Sequence, residues 1–95
     1  MQTHKFPTAS VVSRALRRDA GIITRPFPKI GYSVHGGSFH GPSIWVYVSD
    51  AAGINIRRAK ALHEHLIEVG WKVTLAEDSS ILYVDYVPTA KEVNE

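Results

Sequence analysis

The hydrophobic and polar positions from Ile54 to Val87 predict a helix that is followed by a two-stranded hairpin. Asn55 is the expected N-cap of the helix, and Gly70 is the expected stop. One helical face collects the apolar residues Ile56, Ala59, Leu62, Leu66 and Val69. Apolar and polar residues then alternate over 71–76, and a second apolar run over 81–87 is the expected partner strand.

The first half of the chain repeats this order more loosely. Thr8 or Ser10 is the expected N-cap of a helix with an apolar stripe, and Gly21 is the expected residue after its end. Strand-like stretches follow over 22–27, 30–35 and 43–49. Pro26 and Pro28 cannot donate ladder hydrogen bonds, so the first stretch is expected at a sheet edge or in an extended connection.

The two halves differ in which strand positions suit the buried face. With Ser43 aligned to Ser80, the buried set of the earlier strand is Ile44, Val46 and Val48. The buried set of the later strand is Leu82, Val84 and Tyr86. Because a slip of one residue reverses every side chain, we interpret the repeat as a likeness of architecture, with an ancestral duplication as the alternative.

These patterns predict an α+β fold, a two-layer sandwich in the order α-β-β-α-β-β. Its four-stranded, mainly antiparallel sheet is expected to carry both helices on one face. The domain is expected over 8–88, between a flexible leader over 1–7 and a flexible tail over 89–95. A ferredoxin-like arrangement is disfavoured because residues 1–7 make a poor first strand.

Composition changes this picture little. The chain has 95 residues, of which 44% are hydrophobic and 21% are charged, as in a single soluble domain. Cysteine is absent, which excludes disulfides and a cysteine nucleophile. No apolar run has the length of a membrane span, and the N-terminal residues lack the apolar core of a signal peptide. We therefore expect a soluble cytoplasmic protein.

Strand parity assigns three aromatic residues to the sheet face opposite the helices. These are Trp45, Tyr47 and Tyr83, and Lys72 is expected beside them, with Ser33 and His35 nearby. Flat rings near a cation suit the stacking of single-stranded bases. They equally suit contact with a partner protein, or act only as strand residues that stabilise cross-strand pairs. All three interpretations stay open from the sequence.

Helix arginines form the second candidate binding group. A net charge of +2 suits an anionic partner without requiring one. Guanidinium groups bind phosphate bidentately, but arginines also keep helix surfaces solvated and complement the helix dipole. The candidates are Arg14, Arg17 and Arg18 on the first helix and Arg57 and Arg58 on the second.

Metal-binding and catalytic patterns are weak. His63 and His65 point away from each other at helical spacing and cannot share an ion, and His63 is expected to be partly buried and hydrogen-bonded. His35 and His40 flank a glycine-rich turn without a third ligand. A hydrolase site without an oxyanion hole can be drawn from Ser38, His40 and Asp50. We expect no metal, no cofactor and no catalysis.

The predicted elements follow a recognisable order. A short basic helix, a glycine and strands come first, and a second helix that ends at Leu66, Gly70 and Trp71 precedes the strand ILYV. In these features the chain resembles small uncharacterised proteins of actinobacteria and their phages over residues 11–87. The resemblance implies a small accessory protein that acts by binding a host macromolecule. It transfers no catalytic or binding residue.

Non-enzymatic binding is therefore the predicted function. The leading hypothesis is a protein-interaction module that contacts a partner or a second copy of itself. It uses the face of Trp45, Tyr47 and Tyr83, or the edge strand near Pro26 and Pro28. The alternative is a nucleic-acid-binding protein that combines the same aromatics with the helix arginines. Neither a membrane nor a small-molecule substrate is expected.

Overall fold

The residues that the structure describes form two helices and four strands in the predicted order α-β-β-α-β-β. The structure is a computed structural model that describes residues 6–26, 29–37 and 41–88. The helices are α1 (Ala9–Ala20) and α2 (Ala52–Val69). The strands are β1 (Gly31–His35), β2 (Ser43–Tyr47), β3 (Lys72–Leu75) and β4 (Ile81–Tyr86). The predicted fold class is confirmed.

The sheet joins two hairpins through their second strands. All strand pairs are antiparallel, and the spatial order is β1-β2-β4-β3. The central strands β2 and β4 meet with Ile44 opposite Leu82. A β-bulge between Lys72 and Val73 interrupts the ladder of β3 with β4. β2 and β4 therefore hold the middle of the sheet, and β1 and β3 form its edges.

Local capping explains three of the four helix ends. The Thr8 hydroxyl accepts a hydrogen bond of 3.2 Å from the Val11 amide at the start of α1. Gly21 and Gly70 end the two helices in the left-handed conformation, with φ of 67° and 109°. All three residues were predicted for these places. Most other residue types would strain the backbone at either glycine.

The predicted N-cap of α2 is wrong. The helix begins at Ala52 after Ala51, and Asn55 lies inside it with only 7% of its surface exposed. Its Oδ1 accepts from the amides of Val48 and Ser49 at 2.8 and 3.1 Å, and its Nδ2 donates to the Ser49 carbonyl at 2.8 Å. The amide side chain therefore holds the connection between β2 and α2. It does not cap its own first turn.

The core fills the layer between the helices and one face of the sheet. The predicted parities are confirmed, because Ile44, Val46, Leu82 and Val84 are all buried. On α2 the predicted stripe is buried at Ala59, Leu62 and Leu66, whereas Val69 and Ile56 are partly buried. Each fully buried aliphatic side chain stabilises the fold by about 1.5–3 kcal/mol. The core therefore fixes which sheet face meets the helices.

The stretch predicted over 22–27 is an extended connection over its described residues 22–26. The amide of Arg25 donates to the carbonyl of Tyr32 at 2.7 Å, which holds the connection along the outer edge of β1. Phe27 and Pro28 lie outside the described residues, as do residues 1–5 of the predicted leader over 1–7 and the whole predicted tail over 89–95. Neither α1 nor α2 is long and apolar enough to span a membrane.

Candidate functional site

The sheet face opposite the helices is the candidate site, and we call it the open face. Core residues alternate with open-face residues along each strand, so the register places the latter side by side. Among the described strand residues, the open face comprises Ser33, His35, Ser43, Trp45, Tyr47, Thr74, Ile81, Tyr83 and Asp85. Lys72 is exposed at its margin, next to the β-bulge.

Four side chains of β1 and β2 form a compact group held by two hydrogen bonds and one ring contact, which we call the quartet. Ser33 lies opposite Trp45, and His35 lies opposite Ser43. The Ser33 hydroxyl is 3.0 Å from Nε2 of His35, and Nε1 of Trp45 donates to the Ser43 hydroxyl at 3.0 Å. The two rings meet along the diagonal, with centroids 4.1 Å apart and planes tilted by 32°. Side chains two apart on one strand share a face, which was the only sequence signal for this arrangement.

The quartet changes the interpretation of Trp45. Its indole N–H and part of its ring are already engaged by neighbouring side chains. The two serines beneath are only 6% and 8% exposed, although both described helices lie on the other side of the sheet. Trp45 is therefore a fixed part of the surface. A ring that is held in one rotamer loses little entropy when a partner binds it.

The two tyrosines lie on the central strands beyond the quartet. The Tyr47 hydroxyl donates to Oδ1 of Asp50 at 2.8 Å, and this hydrogen bond to a carboxylate raises the pKa of the phenol. Tyr83 lies between Ser43 and Thr74 on the neighbouring strands, with 36% of its surface exposed. The structure thus places all three predicted aromatics on one face, with Tyr83 the most accessible of them.

The candidate arginines lie in the other layer. Each helix buries its apolar stripe against the sheet, so its exposed arginines face away from the sheet. Arg14, Arg17, Arg57 and Arg58 all belong to this outer surface. The structure therefore does not bring them together with the aromatic residues. Among the described strand residues, Lys72 is the only lysine or arginine near the open face, and it lies at the β-bulge, where the register pairs it with Tyr86.

Arg18 is part of a structural network. Its Nε and Nη2 donate to the two carboxylate oxygens of Asp19 at 2.6 and 2.7 Å, and Nη2 also donates to the Pro88 carbonyl at 2.8 Å. The Asp19 side chain is only 3% exposed. The hydrogen bond from Arg18 is the main cause that lowers the pKa of this carboxyl. A phosphate group would have to displace either Asp19 or the Pro88 carbonyl to bind this guanidinium bidentately.

The described histidines each contact a backbone carbonyl or a neighbouring side chain. Nε2 of His63 lies 3.2 Å from the Val73 carbonyl, which confirms the predicted partly buried, hydrogen-bonded residue. Nε2 of His65 donates to the Asp19 carbonyl at 2.7 Å. Within residues 6–26, 29–37 and 41–88, no three side chains of the metal-ligating types converge on one position.

One pair of side chains on the open face, Ser33 and His35, has the spacing of a nucleophile and its general base. The Ser33 hydroxyl is within general-base reach of His35, at 3.0 Å. Ser33 is 6% exposed and lies in the quartet, so it offers little surface to a substrate. Of the hydrolase residues considered from the sequence, Ser38 and His40 lie outside the described residues, and Asp50 accepts from Tyr47. The absence of catalysis stays a prediction.

Comparison with protein-family models, curated proteins and solved structures found no match. The resemblance to small actinobacterial and phage proteins therefore stays a prediction. Any functional conclusion has to rest on the geometry of the open face and of the helix layer.

Proposed function

We propose that this protein is a non-enzymatic interaction module that self-associates through its open face. The observation that carries the proposal is the one-sided fold: both helices cover one face of the sheet, and the other presents Trp45, Tyr47 and Tyr83 on its two central strands. Aromatic residues are enriched at the centres of protein interfaces and polar residues at their rims. The open face has this arrangement.

Charge supports a second copy as the partner. In a two-fold contact the same patch of both copies meets, so a patch with one sign of charge repels itself. The described strand residues of the open face and its margin carry one lysine and one aspartate, Lys72 and Asp85. The strands therefore contribute little net charge to this surface. A nucleic acid would require an excess of cations close to the stacking rings, and the helix arginines lie in the other layer.

Size indicates that the association is weak. The strands are four to six residues long. With about 3.4 Å per residue and about 4.8 Å between strands, the four-stranded face covers roughly 300 Å². Stable interfaces bury about 800 Å² on each partner. The open face by itself thus supports a dimer that forms and dissociates with concentration.

Sedimentation equilibrium from micromolar to millimolar concentration tests this proposal. The weight-average mass of the wild type should rise towards that of a dimer. Tyr83→Lys places a second cation on the open face and should remain monomeric. The matched control is Ile67→Lys, which changes a residue that is 46% exposed on α2 and should associate like the wild type.

Three results would contradict the proposal. The wild type could remain a monomer at millimolar concentration, or Tyr83→Lys could associate as strongly as the wild type. The third such result is a monomeric protein whose Tyr83 NMR resonances shift when a short single-stranded oligonucleotide is added. That result would assign the open face to nucleic acid.

A further inference from the structure

A shallow groove of ≈ 440 Å³ lies on the helix side of the molecule, between the end of α1, β1 and the flank of α2. Ala20, Ile22 and Ala61 contribute accessible apolar surface to its lining, above the buried Leu62, and Tyr32, Arg58 and His65 contribute polar groups. The groove shares no lining residue with the open face. Whatever binds there is independent of self-association through the sheet.

The sequence explains how this groove forms. Four of its lining residues recur along α2 at spacings of three, one and three, which puts them on one side of the helix: Arg58, Ala61, Leu62 and His65. The small side chain of Ala61 leaves room in the middle of that side. On the opposite wall, Gly21 ends α1, and the Ile22 amide donates back to the Leu16 carbonyl at 3.3 Å. This cap turns Ile22 towards α2.

Unbalanced positive charge distinguishes this groove. Arg58 is exposed, and its guanidinium has no hydrogen-bond or ion-pair partner among the described residues. The nearby carboxylate of Asp19 is occupied by Arg18 and Trp71. None of the described residues that line the groove carries a carboxylate side chain. A ligand with a negative charge beside an apolar group would therefore complement both the charge and the surface.

His65 contributes a fixed wall. A carbonyl oxygen can only accept, so Nε2 of His65 carries the proton in its 2.7 Å hydrogen bond to Asp19. This bond spans 46 positions of the sequence and ties α2 to the end of α1. The width of the groove between the two helices is thereby set before any ligand arrives, which reduces the entropy lost on binding.

We propose that the groove binds a peptide segment of a partner protein in which an apolar side chain neighbours a carboxylate. The apolar side chain packs against Ala20, Ile22 and Ala61, and the carboxylate accepts a forked pair of hydrogen bonds from Arg58. A peptide suits the site better than a small molecule, because small-molecule pockets enclose most of their ligand. A carboxylate suits it better than a phosphate, since the lining offers a single guanidinium.

An NMR titration of the full chain with three blocked tetrapeptides tests this inference. The probe is acetyl-Asp-Leu-Leu-Asp-amide, and acetyl-Asn-Leu-Leu-Asn-amide is its neutral isostere. Acetyl-Asp-Ser-Ser-Asp-amide keeps the charge without the apolar groups. Amide resonances of Ile22, Tyr32 and residues 58–65 should move with the probe. Both comparison peptides should bind at least about tenfold more weakly, as expected for the loss of one charge-assisted hydrogen bond or of the apolar contact.

Two arginine variants test whether the carboxylate of the peptide binds Arg58. Arg58→Gln should bind the acidic and the neutral peptide equally, whereas Arg57→Gln changes the adjacent exposed arginine outside the lining and should retain the preference. Ala61→Glu fills the groove with a carboxylate and should abolish binding. The absence of shifts at millimolar peptide would overturn the proposal. So would equal losses in the two arginine variants, or shifts that appear on the open face instead.

Discussion

The indole N–H of Trp71 donates a hydrogen bond of 2.8 Å to Oδ2 of Asp19, across 52 positions of the sequence. Trp71 is 2% exposed and immediately precedes β3, while Asp19 belongs to the last turn of α1. The same carboxylate accepts two hydrogen bonds from Arg18, which also donates to the Pro88 carbonyl after β4. One buried carboxylate therefore ties together three separate parts of the fold.

Replacement of Asp19 with asparagine should destabilise the protein. The amide is neutral and has an NH₂ group in place of one carboxylate oxygen, so it cannot accept all three hydrogen bonds that Arg18 and Trp71 donate to the carboxylate. Because hydrogen bonds to charged groups contribute about 1.5–3 kcal/mol each, we expect a loss of about 2 kcal/mol in the free energy of unfolding after allowance for the partly exposed Arg18. Urea denaturation measures the loss. Glu64→Gln makes the same change of charge at an exposed carboxylate and should change stability by less than about 0.5 kcal/mol. Equal effects of the two variants would contradict this role.

Acid should remove the advantage of the wild type over Asp19→Asn. The pKa of Asp19 is lowered in the folded state, mainly by the hydrogen bond from Arg18. Its contribution is therefore complete above the unfolded pKa of about 3.9 and is lost as the pH falls through the lower folded value. Denaturation of both proteins over a pH series should show their stability difference shrinking in acid. A difference that grows as the pH falls would refute the assignment.

Asn55→Ala should cost about 2–3 kcal/mol, since it leaves the amides of Val48 and Ser49 without their side-chain acceptor. Thermal or urea unfolding provides the measurement. Lys60→Ala serves as a control because Lys60 is exposed in the same helix and alanine favours helix. If Asn55→Ala were as stable as Lys60→Ala, the proposed support of the connection between β2 and α2 would be wrong.

The ring contact in the quartet should be measurable by a double-mutant cycle. The rings of His35 and Trp45 lie 4.1 Å apart. Comparison of His35→Ala, Trp45→Ala and the double variant should give a coupling of about 0.5–1.5 kcal/mol, as for other aromatic pairs. A second cycle that combines Thr74→Ala with Trp45→Ala should give a coupling energy that is zero within experimental error. Additive effects of the His35 and Trp45 changes would show that the two rings do not stabilise each other.

Features with a local cause were predictable from the sequence. Thr8, Gly21 and Gly70 end their helices because capping depends on a few adjacent residues. Strand parity was predictable because the core selects one face. Asn55 was misassigned, since a buried position inside the helix gave its amide stronger partners than the first turn offers. Capping rules alone do not reveal such partners.

Features that depend on distant residues were not predictable. Nothing near Arg18 in the sequence indicates that Trp71 and Pro88 complete its network. The sequence allowed the aromatic residues and the helix arginines to form one binding site. Because both helices pack on one sheet face, the fold separates the two groups into different layers. The quartet had a partial signal, because Ser33 and His35 were expected near Trp45. The contact between the His35 and Trp45 rings depends on the register of β1 against β2.

Self-association through the open face is the central claim, and a concentration series of amide NMR spectra tests it most directly. As the protein is concentrated, resonances of Ser33, Trp45 and Tyr83 should move together along one binding curve. Those of exposed α2 residues such as Lys60 should stay in place. No movement up to millimolar concentration would contradict the claim, as would movement confined to the helix layer.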